Sequence, residues 1–283
     1  MNPKIKNLLI RTLTGAIYVS MMVISIYNPW VLTGLFLLVI GIGMHESANL
    51  ALQPVDTLTR ISWITIGCLL FLLIWLMQYP FDFMSEQWPS SFFPFGLYLF
   101  WTAIVVIILY FIGLDVFRFH QLAATGILNI FWMVIPLLII ATNTLSRPST
   151  VLAFFLFIWA SDTFAYLGGS LLGKHKLCER VSPGKTWEGF LISLVLTICL
   201  AVLLSRIPYF NQGGFYGNVL IWIGFAAIVV VFGLLGDLFE SLLKRKAGVK
   251  DSGKLIPGHG GVLDRFDSIF VAAYPAFLYV TLF

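Results

Sequence analysis

Charged residues are widely spaced along this chain, and the apolar runs between them are long. Thr12 to Met44 carries no charge and is broken only at Asn28-Pro29, which predicts two helices, near 9–27 and 30–51. Further runs cover Ile61–Phe81, Phe92–Leu114, Gln121–Ser146, Ser149–Leu172, Gly189–Ser205, Gly217–Leu243 and Ser268–Phe283. A helix needs about 20 apolar residues to cross a bilayer. The last run is marginal, reaching about 24 Å at 1.5 Å per residue. The pattern predicts an all-α polytopic membrane protein with about nine transmembrane helices. No small-residue cleavage site follows the first span, so it reads as retained.

Lysine and arginine set the expected orientation. With a cytoplasmic N-terminus, the far side holds only Arg147 and Arg206 of the 17 Lys and Arg residues. That is a strong positive-inside bias. Residues 1–146 then form an N-terminal scaffold of five spans. Residues 147–283 form a C-terminal region of four spans with two cytoplasmic loops, 171–188 and 240–267, which hold most of the cations.

Composition agrees. Apolar types make up 59 % of the 283 residues and charged types 11 %, against roughly 45–50 % and about 25 % in soluble domains. A water-soluble fold cannot hide that much apolar surface, and disordered chains are apolar-poor. The net charge of +4 follows from the loop lysines and does not signal nucleic-acid binding. Three cysteines give neither a disulfide framework nor a zinc pattern.

The carboxylates point to chemistry. Asp162 interrupts the sixth apolar run, where an ionisable group costs roughly 2.5–3.5 kcal/mol at a helix centre and usually marks function. Asp237 and Glu240 lie three apart, with Ser241 and Lys244 at i+4 and i+7 from Asp237, so a helix puts all four on one face. Asp264 and Asp267 are again three apart, with Arg265 between them. Four carboxylates thus gather at one membrane surface. They are either a salt-bridge cluster or oxygen ligands for Mg²⁺, a hard cation held by carboxylates and substrate phosphates. Gly258-His259-Gly260-Gly261 reads equally as a backbone approach to phosphate or as a hinge. Lys244, Arg245, Lys250 and Lys254 suit phosphates or anionic lipid head groups. His45-Glu46 is either an interior hydrogen-bonded pair or support for the site. Gly184-Lys185-Thr186 is no P-loop, because Glu179 stands where the first glycine belongs.

The run Ser241–Asp267, SLLKRKAGVKDSGKLIPGHGGVLDRFD, resembles the C-terminal signature of the phosphatidate cytidylyltransferases, the CDP-diacylglycerol synthases. Ser161-Asp162-Thr163 and Ser182 through Gly189 resemble the family's other cytoplasmic segment, except that many members have lysine where Gly184 stands. The resemblance implies a reaction of CTP with phosphatidic acid that gives CDP-diacylglycerol and pyrophosphate. It implies Mg²⁺ as cofactor, held by Asp237 and Asp264, and a homodimer in the inner (cytoplasmic) membrane. Asp267, Lys185, Lys244 and Arg265 would join the two aspartates as catalytic residues. Ser182, Lys185, Thr186, Ser241, Lys244, Arg245, Lys250, His259, Gly260 and Gly261 would bind substrate. The chemistry suits such a place, since two anions must meet and cations that screen their charge are the main need. A CTP-dependent lipid kinase is the nearest alternative. A transporter would put its ionisable groups near the midplane, whereas here most lie at one surface.

Cys178 falls in the 171–188 loop, and Cys68 and Cys199 fall in apolar runs. An impermeant thiol reagent should label Cys178 from the cytoplasmic side only; labelling in intact, right-side-out cells would reverse the orientation.

Overall fold

The computed structural model describes residues 3–51, 55–84, 126–213, 215, 217–255 and 260–283. The expected span Phe92–Leu114, the start of the span from Gln121, and His259 lie outside them. Helix α1 is Pro3–Ile26 and α2 is Pro29–Leu50. The break falls where the sequence put it. Pro29 takes the first helical turn, and the Asn28 side chain accepts the Trp30 and Val31 amides at 3.1 and 3.2 Å, an N-cap that ends one helix and begins the next. Helix α3 is Thr57–Met84, with Asp56 accepting the Thr59 amide at 3.0 Å.

Helix α4 is Gly126–Ser146 and contains a π turn over Ile130–Val134. Pro136 follows and has no amide to give back to the preceding turn; widening of the helix there accommodates it. The Phe131 carbonyl in that turn accepts the Tyr274 hydroxyl. Helix α5 is Pro148–Leu172. It leads into an antiparallel hairpin of β1, Lys176–Cys178, and β2, Ser182–Thr186, with Lys176 opposite Thr186 and Cys178 opposite Ser182. Helices α6, Trp187–Leu204, and α7, Val219–Lys246, are joined by a 3₁₀ turn at Pro208–Gly213. Helix α8 is Leu263–Val280.

Among the described residues, six helices are long and apolar enough to cross a membrane: α2, α3 (over Thr57–Leu76), α4, α5, α6 and α7. The apolar part of α1, Thr12–Ile26, is shorter, and α8 has 18 residues that include Asp264, Arg265 and Asp267. Three expectations change. The protein is mostly helical but not all-α, since the 171–188 loop carries the hairpin. Helix α7 runs on to Lys246, past the expected end at Leu243. Helix α8 begins five residues before Ser268, so Asp264 and Asp267 lie inside its first turns. Apolar pattern alone set those two ends, and polar residues whose partners lie on other segments extended them.

Helix α8 is the centre. Leu263, Ile269, Phe270, Ala272, Ala273 and Ala276 on it are fully buried. Helices α3 and α6 are peripheral and show exposed Ile61, Leu69, Leu73, Leu191, Val195 and Leu203, the apolar faces that a lipid environment wants. Tyr18 fixes α1 with edge-on ring contacts to Trp159 at 6.1 Å and Phe266 at 5.9 Å.

Glycines let the functional helices touch. A Cβ on Gly189 of α6 would lie 2.7 Å from the Ala165 carbonyl oxygen of α5. A Cβ on Gly236 of α7 would lie 3.1 Å from the Asp267 carbonyl carbon and from Ser268 Cα on α8. Both neighbours are backbone and cannot step aside. Gly236→Ala should therefore destabilise the protein by about 1–3 kcal/mol, as overpacking does. Gly34→Ala should be neutral or stabilising, because nothing lies within 4 Å of that position and alanine favours a helix. Thermal unfolding midpoints in detergent separate the two, and equal midpoints would mean the α7–α8 approach is not tight.

Candidate active site

The hairpin carries Lys185 to helix α7. Its base is pinned by Glu188, whose carboxylate accepts the Lys174 amide at 3.1 Å and pairs with His175 Nδ1 at 2.5 Å. Thr186 closes β2 and caps α6 by accepting the Gly189 amide at 3.2 Å. The other end of the hairpin is held by Arg245, whose Nε donates to the Val181 carbonyl at 3.2 Å. Thus fixed, Lys185 Nζ lies 2.6 Å from Asp237 Oδ2. Asp237 Oδ1 accepts the Ser241 hydroxyl at 3.2 Å, one helical turn on.

A second group centres on Lys244. Its ammonium lies 2.6 Å from both Glu240 Oε2 and Asp264 Oδ1, which joins α7 to the first turn of α8. Glu240 is fully buried and Lys244 nearly so. The other oxygen of Asp264, Oδ2, accepts the Gly261 amide at 2.7 Å, the Ser252 amide at 3.1 Å and the Ser252 hydroxyl at 3.0 Å. Gly260 makes this turn possible with a φ of +84°, a left-handed conformation that glycine adopts without penalty. The Gly261 amide is thus turned toward Asp264.

Asp162 and Asp267 complete the cluster. Asp162 is exposed on α5, within electrostatic reach of Asp237, Lys185 and Arg265. Asp267 is buried, within reach of Asp237, Glu240 and Asp162, and its Oδ1 accepts the Ser268 amide at 2.7 Å. The structure therefore brings together Asp162, Lys185, Asp237, Ser241, Lys244, Asp264, Arg265 and Asp267. Thr186 and Arg245 are engaged with backbone groups. Ser182 is partly exposed, and Lys250 is exposed on the loop between α7 and α8.

Residues 9–283 match the model of the family described as the cytidylyltransferase family. The chain belongs to that family. Its cytidylyltransferase relatives include the "Phosphatidate cytidylyltransferase" of Rickettsia typhi, 41 % identical over 150 residues, which are 53 % of this chain and 65 % of the relative. The protein of that name from Haemophilus influenzae is 45 % identical over 131 residues, 46 % of this chain and 44 % of the relative. The one from Staphylococcus aureus strain COL is 48 % identical over 118 residues, 42 % and 44 % respectively. The matches span less than two thirds of these relatives' lengths.

The donor set bears on a metal. Asp162, Asp237, Glu240, Asp264 and Asp267 outnumber the cations among them, Lys185, Lys244 and Arg265. Glu240 Oε1 is buried without a hydrogen-bond partner, and Glu240 is within hydrogen-bonding reach of Asp267. Two carboxylates so placed need a proton or a cation between them. No group of three or more metal-binding side chains is gathered at one point among the described residues. By donor type alone, carboxylate oxygens suit a hard cation such as Mg²⁺.

Glu46 of α2 is the residue whose place the sequence left open. It does not pair with His45, which faces Arg60 at 3.4 Å. Its carboxylate accepts the Val262 and Leu263 amides at 3.1 and 2.9 Å and the Ser252 hydroxyl at 3.1 Å. The available signal was a lone carboxylate near the end of an otherwise uncharged second span; its partners lie more than 200 residues away.

Proposed function

We propose that this chain transfers the cytidylyl group of CTP to phosphatidic acid, giving CDP-diacylglycerol and pyrophosphate. The observation that carries this reading is the Lys185–Asp237 pair at 2.6 Å. It joins the two polar segments into one charged site beside apolar helices, in a chain of the cytidylyltransferase family. The relatives' printed name supplies the substrate class. In the reaction a phosphate oxygen of phosphatidic acid attacks the α-phosphorus of CTP. The bond from that phosphorus to the bridging oxygen breaks, and its electron pair leaves with pyrophosphate. The nucleophile is already ionised at neutral pH, so the protein supplies neither a nucleophile nor a strong base.

The protein's task is to hold anions together. Lys185, Lys244 and Arg265 offset phosphate charge, with Arg245 and Lys250 on the loop side. Ser182, Thr186, Ser241, Gly260 and Gly261 would form the surrounding substrate surface, and His259, which lies outside the described residues, would bind substrate with them. Asp237 and Asp264 would hold Mg²⁺, with Asp267 beside them; bound there, the ion supplies charge stabilisation to the phosphates. Before substrate arrives, Lys185 and Lys244 satisfy those two carboxylates. The phosphatidate tails stay in the bilayer while CTP enters from water, which suits a site at the end of the helices. We place nine spans in the cell's inner membrane, the N-terminus and the site on the cytoplasmic face, and two chains together as a homodimer.

Purified protein given phosphatidic acid, Mg²⁺ and CTP labelled at the α-phosphorus should put label in the lipid. Label entering only from the γ-phosphorus would make it a lipid kinase, and no lipid product would overturn the reading. Asp264→Asn should abolish turnover with the protein still folded. A charge-assisted hydrogen bond contributes about 1.5–3 kcal/mol, so Lys185→Gln should lower kcat/KM by at least about tenfold, while Lys176→Gln changes it little. Equal small effects would leave Lys185 a topological charge.

A further inference from the structure

Helix α8 starts without a cap of its own. Val262 stands at the N-cap position and has no side-chain acceptor, so the first amides of the helix need partners from elsewhere. Glu46, from α2, provides them. Oε1 accepts Val262 N–H at 3.1 Å and Oε2 accepts Leu263 N–H at 2.9 Å. A carboxylate at a helix N-terminus is favoured by the helix dipole as well. Glu46 is only 4 % exposed, and no ion pair among the described residues involves it. Its buried charge is held by these donors rather than by a cation.

Ser252, Gly253 and Gly261, between α7 and α8, pack around this carboxylate. A Cβ on Gly261 would lie 2.5 Å from Glu46 Oε2 and 2.7 Å from Oε1, and one on Gly253 would lie 2.7 Å from Glu46 Cδ. The two glycines make the slot. Ser252 sits in it with its hydroxyl 3.1 Å from Glu46 Oε2 and 3.0 Å from Asp264 Oδ2, so one proton is shared by two carboxylates.

We propose that Glu46 is a positioning residue: from α2 it caps α8 and seats Ser252, Gly253 and Gly261 beside it, and so fixes where Asp264 presents its carboxylate. Its place in the reaction rests on the proposed cytidylyl transfer; the cap itself does not. Glutamine at this position keeps the size but turns an amide N–H₂ toward a helix N–H, losing one acceptor. Aspartate keeps the charge on a shorter arm.

The test uses the full chain in detergent or proteoliposomes, with two readouts. The first is trypsin cleavage at Lys250 and Lys254, both exposed on the loop; it needs no activity. Glu46→Gln should raise that cleavage severalfold at a temperature where the rest of the chain resists. The second is the Mg²⁺ concentration giving half-maximal rate. Loss of a group that supports metal ligands typically costs 10–100-fold, so Glu46→Gln should raise it by about that factor, with Glu46→Asp recovering part of the loss. Ser252→Ala leaves the cap in place and should shift the Mg²⁺ requirement in the same direction, which keeps the proposal testable if Glu46→Gln fails to fold. Wild-type cleavage in Glu46→Gln would overturn the proposal. So would a variant that melts earlier while its folded fraction keeps the wild-type Mg²⁺ requirement. If the wild-type chain makes no CDP-diacylglycerol, the functional reading falls, and the cleavage comparison still decides whether Glu46 holds the loop.

Discussion

Lys244 stands between Glu240 and Asp264, and the arrangement of the whole charged end follows from that sharing. Taking an ion out of water costs several kcal/mol even after the protein relaxes, so none of the three groups is at ease alone where it lies. Glu240 and Lys244 come together at i,i+4 on α7, which any helix would arrange. Asp264 reaches them only because α8 runs against α7, and Gly236 supplies the missing side chain that lets the two backbones meet. Lys185 repeats the device for the hairpin by engaging Asp237. Two ammonium groups thus tie three separate segments into one site.

The hairpin makes the second tie possible. An unstructured loop would lose conformational entropy each time it placed Lys185. Here Glu188 gathers the base of the hairpin, Thr186 is used as a helix cap, and Arg245 grips the far end from α7. Residues that a motif assigns to substrate can therefore also be frame. Arg245 and Thr186 hold backbone in this structure, and they shape the surface on which Lys185 is displayed.

Much of this was legible from local rules. Asn28-Pro29 broke the first apolar run because a cap and a ring-fixed φ act over a few residues. The shared face of Asp237, Glu240, Ser241 and Lys244 followed from helical periodicity, and the Ser241–Asp237 and Lys244–Glu240 hydrogen bonds are its outcome. What escaped was set by distant segments. Hydropathy ended α7 at Leu243 and started α8 at Ser268, yet Lys244 continues the helix because its partners lie on α7 and α8, and α8 starts at Leu263 because Glu46 caps it from another helix. The hairpin escaped because Lys176–Cys178 and Ser182–Thr186 are too short and too polar to show alternation. Glu46 itself was visible as a misplaced charge, but no spacing rule connects it with Ser252, Val262 and Leu263.

Those three partners also set an order of events. They lie 206, 216 and 217 residues after Glu46 in the chain. At synthesis rates of about 5–20 residues per second, on the order of 10–40 s separate the appearance of the carboxylate from that of the amides that satisfy it. During that interval α2 has an acidic group without its eventual donors, in a helix otherwise suited to hydrocarbon. Until α8 arrives, water must supply the hydrogen bonds that these donors later make. The hydrogen bonds that seat the charged loop are therefore among the last to close, and a chain arrested before Leu263 exposes an unmatched acid in α2 that a finished one does not.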